Sequence, residues 1–87
     1  MKILLSQAML DALKKAKHIP PDVQRRVDAV QPEPGAPPTY GLALSEDEGM
    51  ELSELLQWHV RSDASGKPTA DTAPYADIIA RIAEAQL

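Results

Sequence analysis

The side chains best suited to chemistry are concentrated in SEDEGMELSELLQWHV (residues 45–60), with five carboxylates in its first ten positions and a Trp-His pair near its end. On a helix, 100° per residue sets Asp47, Glu51 and Glu54 on one face at i, i+4 and i+7. Carboxylates in that array suit a hard divalent cation, and His59 is near enough in sequence to be considered as a further ligand or a base. The geometry argues against both. His59 falls on the side of Leu52 and Leu56, away from the three acids. A metal centre or an acid–base pair needs convergent side chains, and one helix face sends them apart unless a second element adds ligands. The other acidic candidates, Asp77 and Glu84, lie outward by the pattern of their own segment.

Three of the five acids have a structural reading. Ser45 with Glu48 three residues on forms a capping box. Glu46 and Asp47 fall in the first turn, where the helix dipole favours negative charge. His18, beside Pro20 and Pro21, closes a helix rather than acting as a base. No Gly-rich phosphate loop, Ser-His-Asp ordering or His-x-x-x-His spacing is present. The chain has no Cys, which removes disulfides, thiolate zinc sites and a Cys nucleophile. The expectation is a protein that is not an enzyme, with no catalytic, cofactor or metal site.

Trp58 does not fit a purely structural reading. On the wheel it sits among Asp47, Glu51 and Glu54, off the Leu stripe. It is either covered by another part of the chain, with the Val stripe of residues 23–30 and the Pro-rich stretch as candidates, or it anchors a partner. Aromatic residues ringed by charge recur at interface centres, and Arg or Lys of a partner would engage both the ring and the acids.

The elements that must position these residues are short. Leu5, Ala8, Met9, Ala12, Leu13 and Ala16 share a helical face, with Ser6 a poor fit to a cap and Lys14, Lys15 and Lys17 at the favourable end. Alternatively, MKILLS begins as a strand and the helix starts later. Pro20 and Pro21 end that helix, and Pro21 opens a second with Val23, Val27 and Val30 inward. QPEPGAPPT (31–39) holds four Pro and one Gly, which predicts an extended spacer. Tyr40, Leu42 and Leu44 alternate with Gly41 and Ala43 as a short strand. A lone strand leaves its amides and carbonyls unpaired, so it must find residues 1–5, its own copy or a partner's edge.

Helix 46–60 buries Leu52, Leu55, Leu56 and Val60, with Gly49 on the edge where a bare backbone permits close approach. A polar loop (61–73) leads to a last helix, capped by Asp71 or Thr72, with Pro74 in its first turn. That helix turns Tyr75, Ile78, Ile79 and Ile82 inward. The two pack as an antiparallel hairpin. The predicted fold is therefore mostly α: a small helical domain with a C-terminal antiparallel helical hairpin, two short N-terminal helices and one short β-strand. Its parts are a basic helical segment (1–30), the Pro-rich spacer (31–39), and a strand plus acidic hairpin (40–87), all in one folded unit.

Charge divides the chain. Residues 1–30 carry six bases against three acids, and residues 31–87 carry three bases against ten acids. That polarity suits docking of the two halves, a homodimer, or an external partner. The function expected first is a small protein–protein interaction module (a regulator, adaptor or inhibitor), acting through Trp58, Asp47, Glu51 and Glu54 or through strand pairing at Tyr40 and Leu42. The alternative is a DNA-binding regulator whose N-terminal helices form a helix-turn-helix, with Gln24, Arg25 and Arg26 in the major groove. Six bases in thirty residues make nucleic acid the weaker partner. No stretch approaches the roughly 20 apolar residues of a membrane span, and the expected location is cytoplasmic.

Overall fold

The computed structural model describes residues 1–86. Its elements run β1 (Lys2–Leu5), α1 (Gln7–Lys15), α2 (Pro21–Ala29), β2 (Pro32–Glu33), β3 (Thr39–Ala43), α3 (Glu46–Gln57) and α4 (Ala73–Ala85). The expectation of a mostly α domain with one strand is wrong. Four helices accompany a three-stranded antiparallel sheet in the order β1-β3-β2, so β3 lies in the centre with a neighbour on each side.

The first of the two extra strands has a local pattern, and the second is set by its partner. In β1, Ile3 and Leu5 are buried while Lys2 and Leu4 are exposed, the period-two alternation of a half-buried strand. Its register against β3 sets Ile3 opposite Leu42 and Leu5 opposite Tyr40. The Pro-rich stretch is not an extended spacer. It folds back, so that Pro32 pairs with Tyr40 and Glu33 with Thr39. Pro is tolerated there because β2 is an edge strand, where a missing N–H leaves no gap in the ladder. Gly35, at φ +139°, turns the chain between the two strands.

The sheet is one-sided. Ile3, Leu5 and Leu42 face a core completed by Met9, Leu10 and Leu13 of α1, Val23 and Val27 of α2, Leu52 and Leu56 of α3, and Ile78 and Ile82 of α4. The opposite face carries Lys2, Leu4 and Ala43 in solvent, and Lys2 reaches over Gly41 to pair with Glu33. Helix α1 starts at a capping box in which the Ser6 hydroxyl accepts the Met9 amide at 3.2 Å and the Met9 sulfur accepts the Ser6 amide. Ser6 is therefore a true cap, contrary to its sequence reading. Beyond the end of α1, His18 takes the left-handed conformation (φ 67°) as the chain turns toward Pro20 and Pro21.

The α3–α4 pair is antiparallel at both ends. Gln86 Nε2 donates to the Glu46 carbonyl at 3.4 Å, and the His59 ring lies against Tyr75 with centroids 5.2 Å apart. Gly49 is buried where these helices meet, and a Cβ there would press on Ile82 Cγ2 at 3.3 Å and on the Met1 side chain. No helix among the described residues is long and apolar enough to cross a membrane.

Candidate functional site

Helix α3 is oriented by its start and by its buried face. The Ser45 hydroxyl accepts the Glu48 amide at 3.1 Å, and Glu48 Oε1 accepts the Ser45 amide at 2.8 Å. Glu48 also anchors the helix to α2, because Arg26 donates to both its oxygens and, at 2.9 Å, to the Ala43 carbonyl. The Arg26 hydrogen bonds, followed by those from Ser45, hold the Glu48 carboxyl down at about 2, below its ordinary 4.5. Glu48 raises Arg26 in return. With Gly49, Leu52 and Leu56 buried, the helical period turns Asp47, Glu51, Glu54 and Trp58 to the opposite side.

That opposite side is an exposed ridge. Asp47, Glu51 and Glu54 are all exposed, and none is in an ion pair among the described residues. Trp58 follows the last turn as the C-cap residue, still in helical conformation (φ −72°, ψ −17°), and is 90% exposed. Its two intrachain covering candidates are used elsewhere. Val23 and Val27 are fully buried in the core, and the Pro-rich stretch is bound to β3. From Asp47 to Trp58 the ridge is about 17 Å long at 1.5 Å per residue. Met50, 55% exposed beside Glu54 on the wheel, adds apolar surface to it. Sequence reasoning passed over Met50, although the same wheel that displaced Trp58 from the Leu stripe displaces Met50 as well.

The other sequence candidates are placed apart from this ridge. Leu42 is 1% exposed in the central strand, opposite Ile3. Tyr40 is half-buried, and its hydroxyl donates to Gln7 Oε1 at 2.6 Å. The premise that β3 is a lone strand fails, since β1 and β2 pair with it. On α2, Gln24 donates to Asp28 at 3.2 Å, Arg25 pairs with Asp22, and Arg26 is held by Glu48. Each of the three residues assigned to a DNA groove thus has a carboxylate partner within the chain.

Among the described residues no group of three or more His, Asp or Glu is placed to hold a metal ion. The His59 Nδ1 lies 3.2 Å from the Leu55 carbonyl. Asp63 organises the loop after α3, accepting from the Ser65 hydroxyl at 2.6 Å and from the Ser65 and Lys67 amides at 2.8 and 3.1 Å. Those hydrogen bonds, that of Ser65 first, lower its pKa. Compared with known proteins, the chain matches no family model, no curated protein and no solved structure.

Proposed function

We propose that the protein is a non-enzymatic interaction module that docks a basic partner on the outer ridge of α3, with Trp58 as the anchor. The observation that carries this reading is the 90% exposure of the only Trp, at the end of a row of three carboxylates that have no ion-pair partner among the described residues. An indole in water offers a large apolar face, and a guanidinium stacked on it while meeting Glu54 or Glu51 gains cation–π and charge-assisted contacts together. The complement is a helix or extended segment of a partner protein with Arg or Lys spaced along about 17 Å. A cytoplasmic setting belongs to the same proposal.

A second copy is the alternative partner, favoured by Lys14, Lys15 and Lys17, which are exposed at the end of α1. The strand route through Tyr40 and Leu42 has no such support. The DNA reading would need Arg25 and Arg26 to leave their carboxylates.

The test uses an Ala-rich helical peptide with Arg at i, i+4 and i+7, titrated while Trp58 emission is followed. The expected result is a saturable change that weakens with salt and with Glu51→Gln plus Glu54→Gln, whose far-ultraviolet spectrum stays native. An unresponsive Trp58, or a response unchanged in the double variant, would remove the proposal. Sedimentation equilibrium at low and high salt separates the second copy from an external partner.

A further inference from the structure

The second feature without a role is the outer edge of β1. Met1 and Leu44 exchange both backbone hydrogen bonds, at 2.7 and 2.8 Å. In an antiparallel ladder such reciprocal pairs alternate with non-bonded ones. The register therefore sends the backbone groups of Ile3 and Leu5 inward to Leu42 and Tyr40. The N–H and C=O groups of Lys2 and Leu4 point out of the sheet, and among the described residues no strand lies beside them.

Soluble proteins usually blunt such an edge with Pro, a charge, a bulge or a cover. The other edge strand, β2, is two residues long and contains Pro32. β1 has no Pro, and its one charge, Lys2, is drawn across Gly41 to Glu33. Leu4 stands 47% exposed.

α4 flanks this edge across a gap formed by two adjoining cavities. One, of about 250 Å³, lies between Lys2, Ile3 and Leu4 on the strand side and Arg81, Glu84 and Ala85 on the helix side. The other, of about 450 Å³, continues the gap between Ser6 and Met9 and the α4 residues Asp77, Ala80, Arg81 and Glu84. The shared Arg81 and Glu84 make it one groove, with a strand edge as one wall and a helix as the other.

We propose that this groove binds an extended peptide segment of a partner protein, which adds to β1 as a fourth strand. The occupant is specified by both walls. Lys2 and Leu4 together present two donors and two acceptors at the two-residue repeat of a strand, which only an extended backbone matches. Alternate side chains of that strand face α4. One enters the smaller cavity, beside Ile3 and Ala85, and is apolar. The next, two residues away, enters the larger cavity and is basic, because Asp77 in its wall has no ion-pair partner among the described residues while Arg81 and Glu84 neutralise each other at 3.6 Å. A second copy of the chain fits poorly, because the α4-side residues of its own β1 are Ile3 and Leu5, which are buried in its own core and offer no base to Asp77.

The test is an NMR titration of the isotope-labelled full chain with the peptide Thr-Lys-Thr-Val-Thr, capped at both ends. The expected result is saturable shifts of the Lys2, Leu4, Arg81 and Glu84 amides with a Kd of about 1 mM or tighter. The same peptide N-methylated on the residues that pair with β1 should not bind, since it keeps the side chains and loses the strand hydrogen bonds. Asp77→Asn should weaken the parent peptide about 2- to 5-fold, the range of an exposed charge pair. Equal binding of the N-methylated peptide, shifts confined to the Trp58 ridge, or no shifts at all would overturn the proposal. So would β1 signals that move with protein concentration before any peptide is added, because the edge would then belong to a second copy.

Discussion

Replacing Leu56 by Ala should cost several times more stability than the same change one residue earlier. Leu56 is fully buried between α3 and the core, whereas Leu55 is only half-buried. Leu→Ala removes three carbons, worth about 2.4 kcal/mol of transfer at about 0.8 each. The unfilled space around a fully enclosed site raises this to about 3–4 kcal/mol. At Leu55 roughly half the transfer remains and solvent can enter, leaving about 1 kcal/mol. A chain of this size has about 4–13 kcal/mol in total, and each kcal/mol moves Tm by about 4–8 °C. Leu56→Ala should therefore lower Tm by about 12 °C or more, against about 4–8 °C for Leu55→Ala. The assay is urea and thermal denaturation followed by far-ultraviolet circular dichroism, since Trp58 lies in water in the folded state and is a poor reporter of unfolding. Leu55→Ala proving as damaging as Leu56→Ala would mean that α3 is rotated from the orientation on which the Trp58 ridge depends.

Trp58→Ala should change stability by no more than about 0.5 kcal/mol, as surface substitutions do; a larger loss in the same denaturant melts would show that the indole is covered. Ser6→Ala and Ser45→Ala should each cost about 1 kcal/mol through loss of an N-cap, measured as a shift in urea midpoint. Glu48 should make folding acid-sensitive. Its carboxyl lies at about 2 in the folded chain against an ordinary 4.5, so its contribution is fully present above pH 4.5 and is lost as the pH falls toward 2. Urea midpoints of the wild type should fall through that window more steeply than those of Glu48→Gln, and parallel profiles would remove the Arg26–Glu48 pair as the cause.

Legibility in the sequence followed the range of the interaction. The start of α3 was readable from Ser45 and Glu48, and its buried face from Leu52 and Leu56, because caps and helical faces are set by residues three or four apart. The antiparallel contact of α3 with α4 followed from two adjacent apolar stripes. Open alternatives and errors arose where a tertiary contact chooses between local options. MKILL suits a strand as well as a first helical turn, and pairing with β3 decides it. Pro32 and Glu33 carry no strand signal at all, and their pairing exists only because Tyr40 and Thr39 come to lie beside them. Ser6 caps α1 although its partner at the third helical position is Met9 rather than Glu or Gln. The pairing of Arg26 with Glu48 spans 22 residues of sequence, so a periodicity argument could assign each an environment but not the other as partner. For the ridge, the wheel isolated Trp58 and the acids, yet it did not settle whether another segment lies over them, since that depends on where α2 and the Pro-rich turn go.

The distribution of aromatic residues connects the fold to the two surfaces proposed for docking. The core cluster is aliphatic throughout, from Ile3 to Ile82, and neither Tyr lies fully within it. Tyr40 and Tyr75 pack at its border with their hydroxyls bonded to Gln7 and to the Ala12 carbonyl. Side chains of similar width let α1, α3 and α4 pack closely on one face of a small sheet, and Gly49 brings α4 closer still. An indole would force those layers apart, so Trp58 has no place inside such a core. Solvent does not require it on the ridge either, because a polar residue would serve equally well at the end of α3. The same reasoning applies to Leu4, whose neighbours Ile3 and Leu5 already supply the apolar face of β1. Both residues lie where the core has no use for them and where exposed apolar surface carries an aggregation risk. The docking proposed for each surface would account for both positions, with Trp58 offering a ring to a cation and Leu4 lying on the strand edge proposed to take one more chain.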